Sequence, residues 1–373
     1  MTDEQSLSLV KDEAELGFSG KDYPISQSVT KKHNKKLILT NIVASITLIV
    51  GLVSLVWAAL FTPLLGIIWI NEDPNIFVPP VRSEHDGLTY FLVLGRDPTG
   101  RTNVMIVVKI NHDDESAAML QIPRDLFIGL ETHAHRTGRA NAVFSGARDG
   151  ESNINAMKRF VNNYLGLPVD HYILFTLNGL RNTVDAMGGV PMYFERQMMV
   201  TNECQHVPYP IGPGWVTLSG FDAESFVRHR RSYAMGDLAR MEAQSRFMAA
   251  FAREIQNMGA GQAASAARAS FGEISTDLTV NNLLSFMNTA RELDLDDVFM
   301  ASVPGQSGTF TPAGLSVARS YVSIHKQCHV DLINEHFLPP DAQVTIDDLR
   351  IPELHDTKRP AQTFAPGTMR ERS

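Results

Sequence analysis

The sequence contains no Gly-x-Ser-x-Gly elbow, no Walker loop and no His-Glu-x-x-His. Those absences argue against serine hydrolases built on that elbow, P-loop enzymes and zincins. Cysteine is nearly missing: Cys204 and Cys328 are the only two, so at most one internal disulfide can form. Their wide separation leaves a bond and two separate thiols both open. Positive charge is scarce as well. With a net charge of −8 at pH 7, the surface as a whole is no grip for a polyanion, and any arginine cluster has to act locally. No internal repeat is evident.

One stretch avoids charge altogether. Leu37 to Ile70, "LILTNIVASITLIVGLVSLVWAALFTPLLGIIWI", runs without a charged residue, longer than the roughly 20 apolar residues a helix needs to cross a bilayer. Lys31, Lys32, Lys35 and Lys36 precede it and Asn71, Glu72 and Asp73 follow. The positive-inside rule therefore puts residues 1–36 in the cytoplasm as a short polar tail and everything after about residue 72 outside. A secretory signal peptide would have a shorter apolar region, about 7 to 15 residues, ending at a small-residue cleavage site. The expectation is a retained single-pass anchor over 37–70, in which Pro63 ends the spanning helix and "LLGIIWI" forms an interfacial or partly buried extension.

Residues 71–87, with three prolines and little periodicity, read as a linker. The 44% hydrophobic composition then supports a sizeable core over 88–340. "TYFLVLG" (89–95), "VMIVVKI" (104–110) and "AAMLQI" (117–122) are apolar enough to be strands buried on both faces. The short turn at 111–116 makes the second and third an antiparallel hairpin. Residues 152–166 have helical spacing, with Ser152 or Asn153 as cap and Gly166 as stop. "HYILFTL" (171–177) is a strand, 178–187 a helix, and "GGVPMYF" a returning strand. A long helix runs from Asp237 to about Met258, with Leu238, Met241, Met248 and Ile255 in one stripe. Residues 280–294 are helical and 298–305 a strand. This alternation predicts a three-layer α/β/α sandwich with a mixed central sheet, in one domain. The stretch 341–373 loses apolar periodicity and is expected to be mostly without fixed structure.

Three segments could carry chemistry. In "LGRDPTGRTN" (94–103) a buried strand stops at Gly95 and delivers Arg96, Asp97, Arg101 and Asn103 to a sheet edge, where open α/β folds place ligands. A plain Gly/Pro/Asp turn explains the same letters. In "QIPRDL" (121–126), Pro123 ends a strand and Asp125 can hold the guanidinium of Arg124 toward an oxyanion, or the two form an ordinary surface ion pair. In "FVRHRRSYAMGDLARMEAQ" (226–244), Arg228 and Arg230 point apart on a helix but to one side of an extended chain. Only the extended case makes a joint anion clamp. Asp237, Arg240 and Gln244 share a helical stripe beside an apolar one, a boundary suited to a phosphate joined to a long hydrocarbon. A solvated face is the bland alternative. The loop "HAHR" (133–136) has no partner residues nearby to complete a metal set and reads as a polar loop.

In order and at comparable spacing, "FLVLGRD", "RTN", "LQIPRDL", "RANAVFSGARDG", "LGLPVDHYILF", "MGGV", "LSGFDAESFVRHR" and "DLARMEAQ" resemble the LytR-CpsA-Psr family of bacterial cell-envelope proteins, over the anchor and about 88 to 338. The resemblance implies an external domain that binds a polyprenyl pyrophosphate-linked glycan and transfers the glycan, with its linking phosphate, to a hydroxyl of peptidoglycan or another envelope acceptor. In Gram-positive bacteria that acceptor is typically the C6 hydroxyl of N-acetylmuramic acid, and Mg²⁺ (or Mn²⁺) assists. It assigns catalysis to Asp97, Arg101, Arg124, Arg228 and Arg230, substrate binding to Arg124, Asp125, Arg228, Arg230, Arg240 and Gln244, and the metal to Asp97 and the position of Asn103. Two departures stand out. Asn103 replaces a usual carboxylate, which weakens or alters metal binding, and Ala243 replaces an arginine that often precedes the glutamine. They motivate the alternative of a non-catalytic polyprenyl-phosphate-binding envelope protein. A transcriptional attenuator, as the family was once named, is disfavoured because a 36-residue tail offers no DNA-binding module, and no nucleic-acid partner is expected.

Overall fold

From Leu88 onward the apolar runs become strands of one large sheet. The computed structural model describes residues 69–70, 87–130, 137–147, 151–201, 207–229, 237–270, 272–278, 289, 292–354 and 366–369, all within one compact unit, Phe61–Ser373. Its elements in chain order begin with β1 (Trp69–Ile70), β2 (Leu88–Arg96), β3 (Thr102–Asn111), β4 (Ser116–Gln121), α1 (Asn153–Leu165), β5 (His171–Thr176) and α2 (Leu177–Met187). β6 (Val190–Phe194), β7 (Met198–Thr201), β8 (Pro208–Ile211) and β9 (Gly214–Leu218) follow, then α3 (Gly220–Arg228), α4 (Asp237–Asn257) and α5 (Ala260–Ala269). β10 (Ile274–Thr276), β11 (Phe299–Ser302), β12 (Gly305–Phe310), β13 (Arg319–Ile324), α6 (Lys326–His336) and β14 (Gly367–Thr368) complete the order.

The central sheet is mixed and eight-stranded, in the order β1-β10-β5-β2-β3-β4-β11-β14. β2, β3 and β4 form an antiparallel meander, with the expected hairpin closing at Asn111↔Ser116. β5 lies parallel to β2, and β11 parallel to β4. Near-continuous apolarity follows from burial on both faces. Tyr90, Leu92 and Leu94 join the core under α1 and α6, while Val93, Ile106 and Met119 join the opposite one, against Met248, Ala249 and Ala252 of α4. Helices thus flank both faces of the mixed sheet. α1 starts and stops as its sequence predicts: Ser152 caps the N–H of Asn155, and Gly166 takes φ +71° at the end.

The antiparallel ribbons β6–β9 and β7–β8 build a second core with α3 and one side of α4, around Met192, Phe194, Phe226 and Phe247. This changes the reading of α4. A single stripe through Ile255 is not what is buried; Ile255 is exposed, and Arg240, Met241, Ala243, Gln244, Ser245 and Phe247 are all buried. The helix is covered by two modules at once, so one apolar face cannot describe it.

Both ends of the described chain pair with the sheet. Trp69–Ile70, expected in the extension after Pro63, pair in parallel with Ser275 and Thr276. The tail after residue 340 is not wholly without structure. Val344, Leu349 and Ile351 fill the core beneath α1 and α6, and β14 pairs with β11. They enter singly from loops, so no helical or strand period reveals them. The rest of the uncharged run, the "HAHR" loop, Cys204 and most of 280–294 lie outside the described residues. Among the described residues no helix is long and apolar enough to cross a membrane.

Candidate active site

The topology brings the separated motifs together. β2 and β4 both run antiparallel to β3, and β5 runs parallel to β2. The C-terminal ends of β2, β4 and β5 and the start of β3 therefore share one edge of the sheet, the edge at which α/β folds gather their ligands. A bulge sharpens the arrangement: Gly95 pairs with Val104 and Arg96 with Thr102, leaving Asn103 as the extra residue. Such a bulge re-aims a side chain at the rim of a sheet. Gly95 is required by crowding, since a Cβ there would lie 2.9 Å from the Phe175 ring.

At this edge a cavity of about 290 Å³ is lined by Arg96, Asp97, Asn103, Arg124, Arg228, Arg240 and Gln244. Four guanidinium groups face one carboxylate in that lining, so the cavity is cationic within an acidic protein. Much of the remaining lining is apolar, with Phe175, Leu177 and Leu180 from β5 and the start of α2, Val227 from α3, and Phe247 and Met248 from α4. α2 begins at this lining, with its positive N-terminal end toward the cavity.

Asp97 is the best-held group. Its Oδ1 accepts from the Thr99 N–H (2.8 Å), the Thr99 hydroxyl (2.6 Å) and the Arg101 N–H (3.1 Å), and its Oδ2 from Asn103 Nδ2 (2.8 Å). Burial pushes the carboxyl up, but hydrogen bonds from the Thr99 hydroxyl, the Arg101 N–H, the Asn103 amide and the Thr99 N–H outweigh it, so the pKa lies below the ordinary carboxylate value. Asn103 then passes the chain on, its Oδ1 accepting from Arg124 Nη1 at 2.7 Å. Behind it, Asp125 sits 3.5 Å from Arg124 Nε and 3.5 Å from Arg139 Nη1. Asp125 is outside the cavity lining and stands behind the Arg124 guanidinium, so it is not placed for the direct substrate contact that the resemblance implies for it. On the far side, Glu224 holds Arg228 Nη1 at 2.6 Å and Arg181 at 3.5 Å.

The remaining expected residues divide. Arg101 is exposed and outside the lining; it acts on Asp97 through its backbone. Arg228 is the last helical residue of α3, and the chain becomes extended only at His229, so the fully extended Arg-x-Arg clamp is not formed at its first member. Arg230 lies outside the described residues, and of Asp237 only the backbone, in α4, is described. Gln244 reaches the wall, but its amide bridges protein groups: Nε2 donates to Val227 O (2.9 Å) and Oε1 accepts from Gln121 Nε2 (2.8 Å). Ala243 packs in the second core, not in the cavity. Sequence reasoning placed an apolar stripe containing Met248 beside Arg240 and Gln244, and Met248 does line the cavity; it missed Phe175, Leu177 and Leu180, which read as ordinary core, and Glu224 and Gln121, which are polar groups buried between elements.

By themselves the side chains here make no all-protein cage for a divalent cation. Mg²⁺ usually keeps several waters and is held by one or two carboxylates together with substrate phosphates, and the carboxylate that could serve here is Asp97. The cavity offers one carboxylate already accepting four hydrogen bonds, beside an amide oxygen committed to Arg124. No cluster of three or more acidic, His or Cys residues exists among the described residues.

Known proteins give an independent measure. The chain is 27% identical over 202 residues to the polyisoprenyl-teichoic acid–peptidoglycan teichoic acid transferase TagU of Halalkalibacterium halodurans, covering 52% of this chain and 60% of that one. It is 24% identical over 234 residues to the cell wall biosynthesis protein LcpA of Corynebacterium glutamicum, covering 56% and 44%. The match thus spans less than two thirds of either relative's length. In fold it is similar to B. subtilis TagV (TM-score 0.56, 18% identity, 68% of this chain and 100% of that one). It is also similar to TagT bound to LIIa-WTA (TM-score 0.53, 18% identity, 73% and 96%). The sequence model of the LytR_cpsA_psr family matches residues 72–332, most of the chain, and the chain belongs to that family.

Proposed function

We propose that the protein is a membrane-anchored phosphotransferase that moves a glycan from a polyprenyl pyrophosphate carrier to a hydroxyl of peptidoglycan or another envelope acceptor. The observation that carries this reading is the mixed lining of the cavity: Arg96, Arg124, Arg228 and Arg240 together with Phe175, Leu177, Leu180 and Phe247. A pyrophosphate ester of a long hydrocarbon combines the same two chemistries. At about 290 Å³ the cavity suits the head and the first isoprene units. The relative TagU carries a teichoic acid transferase name, which agrees with the substrate class.

In this reaction the acceptor oxygen attacks the phosphorus that bears the glycan. A new P–O bond forms, the bond from that phosphorus to the bridging oxygen breaks, and polyprenyl phosphate leaves with the electron pair. The acceptor's proton passes to solvent or the leaving phosphate. Asp97, with a lowered pKa and four hydrogen bonds already accepted, is a weak base for it; its work is to orient Asn103 and, through it, Arg124. Arg124, Arg228 and Arg240 oppose the charge that builds on the non-bridging and leaving oxygens. The uncharged run ahead of β1 would anchor the chain, with the domain outside the cytoplasmic membrane.

The test is transfer of a labelled sugar from a synthetic polyprenyl pyrophosphate disaccharide to peptidoglycan by the full chain. Arg124→Ala should lower the rate by about 100-fold or more, the range seen when one charge-stabilising donor is lost, with unchanged circular dichroism. Arg101→Ala should change it by no more than about threefold, since the side chain is outside the cavity. Full activity in Arg124→Ala would sink the assignment. A second reading, a non-catalytic binder, is favoured by Asn103; under it the lipid is retained and no sugar moves.

A further inference from the structure

We propose a carbohydrate-binding groove on the opposite flank of α4, separate from the transfer cavity. Its floor is an aromatic pair on the β6–β9 ribbon. Tyr193 and Trp215 face each other across the ladder, with ring centroids 5.6 Å apart and planes inclined at 59°. They are 46% and 75% exposed. The inward residues of the same strands, Met192, Phe194 and Leu218, already supply the second core, so the outward pair is not needed to fill it. Two adjacent large aromatics left in water form the kind of patch that marks a binding surface.

The opposing wall is polar. Arg246, Arg253, Glu254 and Asn257 of α4 border a recess of about 220 Å³ with the two rings. Arg246 Nη2 donates to Tyr193 O at 2.8 Å, tying wall to floor. Arg253 is fixed by Asp296 at 2.5 Å through Nη2, whereas its Nη1, shielded from solvent, has no hydrogen-bond partner among the described residues. A sugar ring meets both halves of this design. Its C–H faces, slightly positive, lie on the negative face of an indole or phenol ring, and its hydroxyls accept from guanidinium and carboxamide groups or donate to a carboxylate. A bilayer surface would find Glu254 and Asn257 on the rim unfavourable.

The placement adds weight. Arg240, Gln244, Phe247 and Met248 line the transfer cavity, and the groove's α4 residues lie roughly 120° around the helix and about 12 Å along its axis from them. A glycan extending from the cavity has only to round one helix. That the groove holds the same glycan rests on the proposed function; that it binds sugar does not.

The experiment titrates the detergent-solubilised full chain with a β-linked N-acetylglucosamine tetrasaccharide, read by tryptophan fluorescence and by saturation-transfer NMR. Trp215→Ala should weaken binding at least tenfold and leave the melting temperature in place. Trp215→Phe should keep most of the affinity, and Arg124→Ala should bind as wild type does. Equal affinity in Trp215→Ala and wild type would overturn the proposal. So would quenching of Trp215 by brominated phospholipids in liposomes, established by difference from Trp215→Phe, because the face would then belong to the bilayer. Sugar binding without any transfer would retain the groove and reject the phosphotransferase reading.

Discussion

Asn103 stands 2.8 Å from a carboxylate oxygen of Asp97 and within 2.7 Å of an Arg124 nitrogen. An amide satisfies both neighbours at once, donating to the acid and accepting from the guanidinium. A carboxylate there would face Asp97 as a like charge and raise one of the two pKa values. Asn103→Asp should therefore melt a few degrees lower than wild type in EDTA, the shift expected for about 1 kcal/mol in a domain of this size. Millimolar Mg²⁺ should restore it, while wild type should respond to neither addition. An equal Mg²⁺ response in wild type would show that the amide site holds metal after all. The lowered pKa of Asp97 also fixes a direction with pH. As acid is added the unfolded chain takes the proton first, so the stability that Asp97 contributes is complete above the ordinary carboxylate range. It is lost as pH falls through the folded value.

At the scale of elements, buried polar braces hold the site in register. Gln244 joins α4 to the Val227 carbonyl of α3 and to Gln121 at the end of β4, and Ser245 donates to Gln121 at 3.1 Å. Gln244→Leu would leave two buried groups without partners, at about 1–3 kcal/mol each. The expected outcome is a lower urea midpoint; an unchanged one would mean that water or rearrangement replaces the brace. His329 of α6 gives the fold a second acid sensitivity. Fully buried, it donates from Nε2 to the Leu165 carbonyl at the end of α1 (2.9 Å). Burial pushes its pKa down to about 4, against the opposing pull of that carbonyl. The unfolded chain protonates near pH 6.5, so stability falls between there and pH 4, by up to about 3 kcal/mol. His329→Gln should flatten this pH dependence of the urea midpoint, and parallel curves for both proteins would refute it.

For the whole molecule, two cores share α4, and the site lies where the ribbon module meets the sheet edge. Arginine convergence is thus a property of the joint and not of any one module. The proposed membrane orientation rests on the flanking charges: four lysines before the uncharged run, two acids shortly after it. Alkaline phosphatase fused after Ser373 should be active in bacterial cells, and fused within residues 1–36 inactive. The reverse pattern would place the domain in the cytoplasm and remove its proposed substrate.

Much of this was legible in the chain. Strands buried on both faces, the 111–116 hairpin and the Ser152-to-Gly166 helix follow from local pattern, because apolar periodicity and caps act over a few residues. So did the motifs holding Asp97, Arg124, Arg228 and Arg240, whose residue types suit an anion. Which of them meet was decided by topology: the antiparallel meander and the parallel β5 put 97, 103 and 124 at one edge, and the bulge at Gly95 turned Asn103 inward. Arg101, equally suitable by type, was left outside. Tertiary structure alone also placed Phe175, Leu177 and Leu180 at the cavity, formed the Gln121–Gln244 brace and set the exposed Trp215 beside α4. These arise from contacts between residues tens to more than a hundred positions apart, and no local period carries that information.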